Sequence, residues 1–508
     1  MTSLISKIII FAISLFAVTA PKATNIILNN INNLILENFK SYYILLIAFL
    51  LICALFLAIL PKSKNRHLGC PKTKPHFSTI SWFSMMFSAG IGIGLLTYAS
   101  AEPIYHFGNN PDIILNQAIP YQQNAINSAF KWSFFHWGFS AWACYSICGL
   151  IIAHFSYNHQ RQLNFSYCAK KLFTNQKLAN IFAQFANVTC IIATIFGIAV
   201  TIGFGVTQLT FGTHHLSKLA FLVKDDQSNI IALLLILITV MSASFFSAAS
   251  GVDKGIKILS NLNIVISLIL LSFFFLAGPT LAIANNFIIN FGNYLINLPK
   301  MSIQIWQQNQ QLDNWQNNWS IFYFAWWISF TPFVGIFLAR ISKHRSIREY
   351  LLVTIIAPSI MCFLWLSIIG HSAIDLELSG QAQGAIINAN LSNQLFITLK
   401  LLTDAKSFLI ISTLIIISLI IYLVTSADSA ILIINNILEK EEKNRSQIAT
   451  WTILITILIA SLLISGGLAA IKSAMIISAL PFSFILLILT IALIKDLLHH
   501  PLRAKLKN

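Results

Sequence analysis

Apolar residues in this chain come in long unbroken runs separated by short polar and cationic stretches. A bilayer core about 30 Å thick needs about 20 apolar residues per helical crossing. On that measure the runs lie near 4–20, 42–60, 78–107, 128–155, 183–212, 228–248, 258–278, 319–340, 349–370, 405–437, 449–467 and 472–494, which predicts twelve transmembrane helices. Two segments, 279–318 and 371–404, are too polar to span, and each is long enough for an amphipathic helix or a lid on the outer side. The Asn/Gln-rich stretch Trp306 to Asn318 reads as plain loop, with a surface helix as the alternative. The first run has a rival reading as a signal peptide, with Lys7 before it and Ala17-Val18-Thr19-Ala20 at its end; Pro21 directly after that site favours a retained helix.

Composition narrows the class further. Only 9% of the 508 residues are charged against 57% hydrophobic, with mean hydropathy +0.76, where a soluble chain carries about 25% charged. This excludes a disordered chain, a soluble enzyme and a nucleic-acid binder with a water-facing surface. The net charge of +16 has a membrane explanation: 23 of the 32 Lys and Arg fall at the start, in alternate loops and in the tail, all on one side of the predicted bundle. The positive-inside rule places both termini in the cytoplasm, with no nucleic-acid partner needed. Seven Cys form no CxxC pair, and five lie within apolar runs, so they read as small packing groups rather than a disulfide framework or metal site.

Three spans depart from plain apolar runs. Span three contains Gly90, Gly92 and Gly94 at alternate positions, each weakening a helix by roughly 1 kcal/mol relative to Ala; they open the backbone or let neighbouring helices approach. Span eight breaks up similarly at Ser329-Phe330-Thr331-Pro332-Phe333-Val334-Gly335. The two spans are five apart, so each heads a block of five helices, and blocks of odd number sit inverted in the bilayer. Interrupted helices at matching positions of inverted repeats point to a transporter binding site. Span four places Trp137, Trp142 and Tyr145 on one broad face at 100° per residue, and Trp326 and Trp327 precede the expected break. Clustered ring faces are what a quaternary ammonium requires, since it can neither donate a hydrogen bond nor lose its charge. The intramembrane ionisable groups Glu102, His106, His136 and Asp428 show no metal-ligand or nucleophile–base spacing, so an enzyme is not expected; capping and pairing are their expected roles. Thr425 and Ser426 either back-bond to the preceding turn or offer hard oxygens to Na⁺.

Six blocks taken together carry a resemblance: Gly90 to Gly94 running into Ala101-Glu102-Pro103-Ile104-Tyr105-His106; His136-Trp137-Gly138 with Ala141-Trp142; Ser250 to Ser260; Trp326 to Ser329 through Pro332 to Gly335; Ala339 to Ser342; and Val424 to Ser429. In order and spacing the chain resembles the betaine/carnitine/choline transporters, secondary carriers with a LeuT-type five-plus-five inverted fold. The resemblance implies two N-terminal helices and a cytoplasmic loop over 1–77, inverted repeats over 78–278 and 319–494 joined by an outer segment 279–318, and a short cytoplasmic tail 495–508. It implies a trimethylammonium substrate boxed by Trp137, Trp142, Tyr145 and Trp327, with Trp326 and Phe330 as neighbours and the backbone of Gly90, Ile91, Gly92 and Gly94 meeting a carboxylate. It further implies Na⁺ between carbonyls of Ser88 and Ile91 and the hydroxyls of Thr425 and Ser426, and a second Na⁺ near Thr194, Thr201 and Phe333. Phe330 departs from the Trp of many members. The absence of Arg from 258–278 favours Na⁺ coupling over exchange, and the short tail argues against osmotic activation. The expectation is therefore a Na⁺ symporter for glycine betaine in a bacterial inner membrane, a homotrimer without further cofactor; the alternative is proton-coupled or exchange transport of choline, carnitine or a sulfonium analogue.

Overall fold

The computed structural model describes residues 2–499 except 71–72, 90–91, 158–162, 164, 171, 251–252 and 439–443, and gives the backbone alone at 87–88, 253–257, 436 and 499. The principal helices are α1 Thr2–Thr19, α2 Pro21–Ile59, α3 Thr79–Ala89, α4 Ile93–Gly108, α5 Ile126–Trp137, α6 Phe139–Tyr157, α7 Gln176–Ser217, α8 Ile230–Ser250, α9 Asp253–Ala277, α10 Thr280–Ile303, α11 Gln310–Gln316, α12 Phe322–Ile341, α13 Ile347–Leu378, α14 Ala405–Ile437 and α15 Arg445–His499. Among the described residues, ten helices are long and apolar enough to cross a membrane. Their outward faces expose Ile52, Phe246, Leu276 and Ile453, while Glu102, His106, His136 and Asp428 are buried. Apolar outside and polar inside is the arrangement lipid demands, with every helical backbone bond satisfied internally. The chain is an all-α polytopic membrane protein.

Polar contacts sort the helix ends onto two faces. On one, Lys7 Nζ donates to Gln447 Oε1 at 2.7 Å, Leu68 N to the Arg345 carbonyl at 2.8 Å, and Arg66 to the Leu497 carbonyl. The Arg348 guanidinium donates to the carbonyls of Ala58, Ile59 and Leu60 on the same face, closing the end of α2. On the other, Ser465 Oγ donates to the Ala17 carbonyl at 3.2 Å and Lys40 pairs with Asp313. The first face gathers loop cations that alternate charge had already grouped.

Three interruptions shape the interior, and one expected interruption is missing. The helix does part in the glycine stretch: α3 stops at Ala89, α4 starts at Ile93, and Gly92 between them is extended (φ −169°, ψ −176°). Span four breaks at Gly138 (φ −94°, ψ −142°), unanticipated; a Cβ there would lie 2.5 Å from the Phe134 carbonyl and 2.6 Å from Phe363, so only glycine fits. The break expected at 329–335 is absent, because α12 runs unbroken through Pro332. Proline removes one helical donor but need not part the chain. Gly335 instead serves packing, since a Cβ on it would sit 2.9 Å from Cys148 Sγ and 3.1 Å from Gly149 N. Small residues there bring the backbones of α6 and α12 together. Last, the 55-residue α15 turns at Gly466 and Gly467, whose φ of 64° at Gly467 favours glycine, so its roughly 80 Å of helix divides where the sequence separates 449–467 from 472–494.

The connecting segment is more ordered than the expected loop. Helix α10 fills 280–303, and Asn309 caps α11 by accepting from Gln311 N and Leu312 N, both at 3.0 Å. A π-helical turn, Asn317–Ile321, leads from α11 into α12. The plain-loop reading of 306–318 therefore holds only for 306–309. Asn317 and its Asn/Gln-rich neighbours are helical because Trp315 is buried against Trp132, His106 and His136, which sequence polarity does not reveal.

Candidate functional site

Helices α5, α6 and α12 bring the predicted aromatic residues into one contiguous chain of rings. Trp137, at the end of α5, meets Trp327 of α12 edge-on at 5.2 Å between centroids; Trp327 meets Tyr145 of α6 at 6.0 Å; Tyr145 meets Trp142 at 5.4 Å. Trp326 stacks on Trp327 at 5.3 Å and 8°. All five are at most 7% exposed, so none belongs to an interfacial belt facing lipid. The face argument that grouped them assumed one straight helix, whereas Gly138 interrupts it between Trp137 and Trp142; Trp327 is what joins the two halves. Sequence reasoning missed Tyr98 and Tyr323. Tyr98 packs against Trp137, Trp319, Phe322, Tyr323, Trp326 and Phe204 at 5.3–6.5 Å.

A buried polar cluster holds these rings. Glu102 of α4 accepts from the Trp137 indole N–H at 2.6 Å and from the Tyr323 hydroxyl at 2.5 Å on Oε2, while Oε1 lies 2.6 Å from His136 Nδ1 and 3.4 Å from His106 Nε2. His136 Nε2 lies 3.1 Å from Ser320 Oγ, and the His136 carbonyl accepts from the Trp327 indole N–H at 2.9 Å. Glu102, His106 and His136 are fully buried. His106 Nε2 makes no hydrogen bond, but buried hydrogen-bond networks fix side-chain orientation, and through Glu102 and His136 this one sets the position of two ring faces at once. No ligand spacing marked it in the sequence; the signals were the i, i+4 pair Glu102/His106 and the adjacency of His136 to Trp137. Asp428 instead accepts from serine hydroxyls, Ser247 Oγ at 2.6 Å and Ser429 Oγ at 3.1 Å, rather than from the Lys or Arg expected.

Gly94 explains itself by contact: a Cβ there would lie 2.9 Å from Trp326 and 3.1 Å from Trp137. Gly94→Ala is expected to weaken substrate binding about tenfold, since overpacking costs about 1–3 kcal/mol, while the amount of protein in the membrane is unchanged; equilibrium binding of labelled ligand checks it. Gly92 meets nothing within 4 Å, and Gly90, Ile91 and the Ser88 side chain lie outside the described residues. Phe330 sits apart from the main chain of rings, 6.5 Å from Trp326 and against Gly197 of α7, with Phe333 at 5.8 Å.

The candidate ion ligands fall in two places. A Cβ on Gly205 of α7 would touch Leu423 of α14 and Ile93 of α4 at 2.7 and 3.0 Å, so the start of α4 and the stretch before Thr425 converge there. Thr425 Oγ1 donates to the Ile421 carbonyl at 2.8 Å, the back-bonding geometry, and this leaves its lone pairs available to a cation; Ser426 is half-buried beside it. Thr194 and Thr201 both donate to carbonyls of α7, at 2.8 and 3.4 Å. Seven residues of helix separate them by roughly 10 Å, whereas oxygens sharing one hard cation each lie about 2.4 Å from it. One ion there takes one of the two, not both.

Crossing helices surround a buried, aromatic, polar-buttressed interior, an arrangement that suits a membrane carrier. The chain matches BCCT, the betaine/carnitine/choline family transporter, over residues 1–501, and it belongs to that family. It is 36% identical over 489 residues to the glycine betaine transporter OpuD of Bacillus subtilis (strain 168), covering 95% of this chain and 91% of that protein. It is 33% identical to a glycine betaine transporter of Acinetobacter baylyi (97% of this chain, 72% of that protein) and 32% identical to the high-affinity choline transport protein of Escherichia coli (strain K12) (90% and 66%). These relatives are transporters, not enzymes.

Proposed function

We propose that this protein imports glycine betaine by Na⁺ symport with alternating access across a bacterial inner membrane, with both termini cytoplasmic. The observation that carries the reading is the buried chain Trp142–Tyr145–Trp327–Trp137, four ring faces from three helices anchored on Glu102 and the His136 carbonyl. Each face contributes roughly 0.5–2 kcal/mol toward a permanently methylated cation. Two relatives named for glycine betaine support the substrate; the choline carrier supports the same ammonium pole with a different second pole.

Twelve crossings follow if α3 with α4 forms one span and α15 forms two, and the parted backbone at Gly92 heads the first of two inverted five-helix units, 78–278 and 319–494. The unbroken α12 weakens the symmetry argument drawn from paired breaks, so the repeat rests on helix order. Exposed Leu281, Ile288, Ile289 and Ile296 line one side of α10, a stripe suited to lipid or to neighbouring copies in a homotrimer.

Na⁺ coupling rests on the Thr425–Ser426 oxygens beside the start of α4. Coupling is limited to the difference in Na⁺ affinity between the two conformations. Uptake of labelled betaine into vesicles is expected to collapse when Na⁺ is replaced by K⁺, and the paired change Thr425→Ala, Ser426→Ala should lower apparent Na⁺ affinity about tenfold, as loss of oxygen ligands does. Uptake that follows a proton gradient and ignores Na⁺ would instead establish the proton-coupled alternative.

A further inference from the structure

Lys472 is one of nine cations that the charge pattern leaves off the cation-rich face. It lies five residues past Gly467 in α15, near the turn whose Ser465 bonds to Ala17 on the opposite face. Its Nζ stands 4.6 Å from the Phe322 ring centroid and 5.2 Å from that of Phe204. Those two rings pack on Trp326 at 5.5 and 5.8 Å, and Trp326 stacks on Trp327 of the box. Among the described residues no carboxylate lies within ion-pair distance of Lys472, and the buried Trp326 indole N–H beside the same rings has no acceptor. Lys472 is half-buried, and an ionisable group partly within a bundle without a counter-ion is a candidate functional position.

We infer that Lys472 is the anionic-pole selector of the substrate site: it attracts the carboxylate of a zwitterionic trimethylammonium compound and disfavours a purely cationic one. The inference rests on the substrate class proposed above. A cation two ring-layers from Trp327 of the aromatic box acts on the two ligand classes with opposite sign. A zwitterion can turn its carboxylate toward the ammonium while its methylated nitrogen faces the rings. Choline carries only positive charge, so it meets repulsion that the low-dielectric interior screens weakly. Discrimination built on repulsion of the wrong ligand is a general device. The layered order, Lys472 over Phe204 and Phe322 over Trp326 over Trp327, keeps the positive charge off the box itself, where it would expel the substrate's own cation.

The test is equilibrium binding of glycine betaine and choline to purified full-length wild type, Lys472→Gln and Lys472→Arg. The ratio of choline Kd to betaine Kd is expected to fall at least about tenfold in Lys472→Gln, through weaker betaine, stronger choline or both, and to stay near the wild-type ratio in Lys472→Arg, which keeps the charge. A ratio within twofold of wild type in Lys472→Gln overturns the inference, and so does an equal fall in Lys472→Arg. Wild-type protein that binds neither compound removes the functional reading, and this inference with it. Wild-type betaine binding with an unmoved ratio removes the inference alone.

Discussion

Trp327→Leu is expected to weaken glycine betaine binding at least about 30-fold and to take uptake below detection. Trp327 is the ring that touches both halves of the interrupted span: Trp137 at 5.2 Å on one side of Gly138 and Tyr145 at 6.0 Å on the other. Leucine is apolar and smaller, so it removes a ring face worth up to about 2 kcal/mol toward a desolvated cation, a factor of about 30 at 1.4 kcal/mol per decade. It also deletes the indole N–H that the His136 carbonyl accepts at 2.9 Å, which frees Trp137 to turn. Trp327→Phe separates the two losses. It keeps a ring and drops the donor, so its effect should be nearer fivefold, the size of one ordinary hydrogen bond of about 1 kcal/mol. Radiolabelled betaine binding in detergent measures both. Binding in Trp327→Leu within threefold of wild type would reduce the ring chain to core packing.

The spans were legible because the membrane imposes a length and forbids charge, and both leave marks in one dimension. The runs 183–212 and 349–370 fall within the longer α7 and α13, and 405–437 coincides with α14. Interruptions were legible only in part. Gly90 to Gly94 showed its break through glycine density, whereas Gly138 is a lone glycine whose necessity comes partly from Tyr294 and Phe363 pressing on it, contacts distant in sequence. Pro332 misled in the other direction: proline weakens a helix locally, but α12 is held by Trp326, Trp327 and Gly335 packing on α4, α5, α6 and α7. The aromatic residues singled out do lie together, but through Trp327 rather than on one straight helix face. Glu102 illustrates the limit most clearly. Its role depends on Trp137 and Tyr323, 35 and 221 positions away, and no periodicity encodes such a meeting.

Glu102 carries the other large expected effect. Glu102→Ala should destabilise the fold by about 3–5 kcal/mol, the cost of removing one member of a buried ionic cluster. The change leaves the Trp137 indole N–H, the Tyr323 hydroxyl and His136 Nδ1 facing one another where none is exposed to water. Loss of protein from the membrane and a much lower unfolding temperature in detergent are the expected readouts. Glu102→Gln asks the sharper question. Its amide oxygen can still accept from Trp137 and Tyr323, so the fold should survive, but the group facing His136 and His106 is no longer a carboxylate and becomes an amide donor. The cluster must then rearrange around His136, whose carbonyl positions Trp327, and Trp137 loses a charge-assisted bond of the stronger kind. Betaine Kd should rise about tenfold, roughly one such bond, in protein of near-normal abundance. A lower unfolding temperature with betaine Kd unmoved would make Glu102 a packing residue. A raised Kd in well-folded protein would make it a positioning residue for two of the four rings, because only orientation of Trp137 and Trp327 connects a carboxylate outside the box to affinity within it.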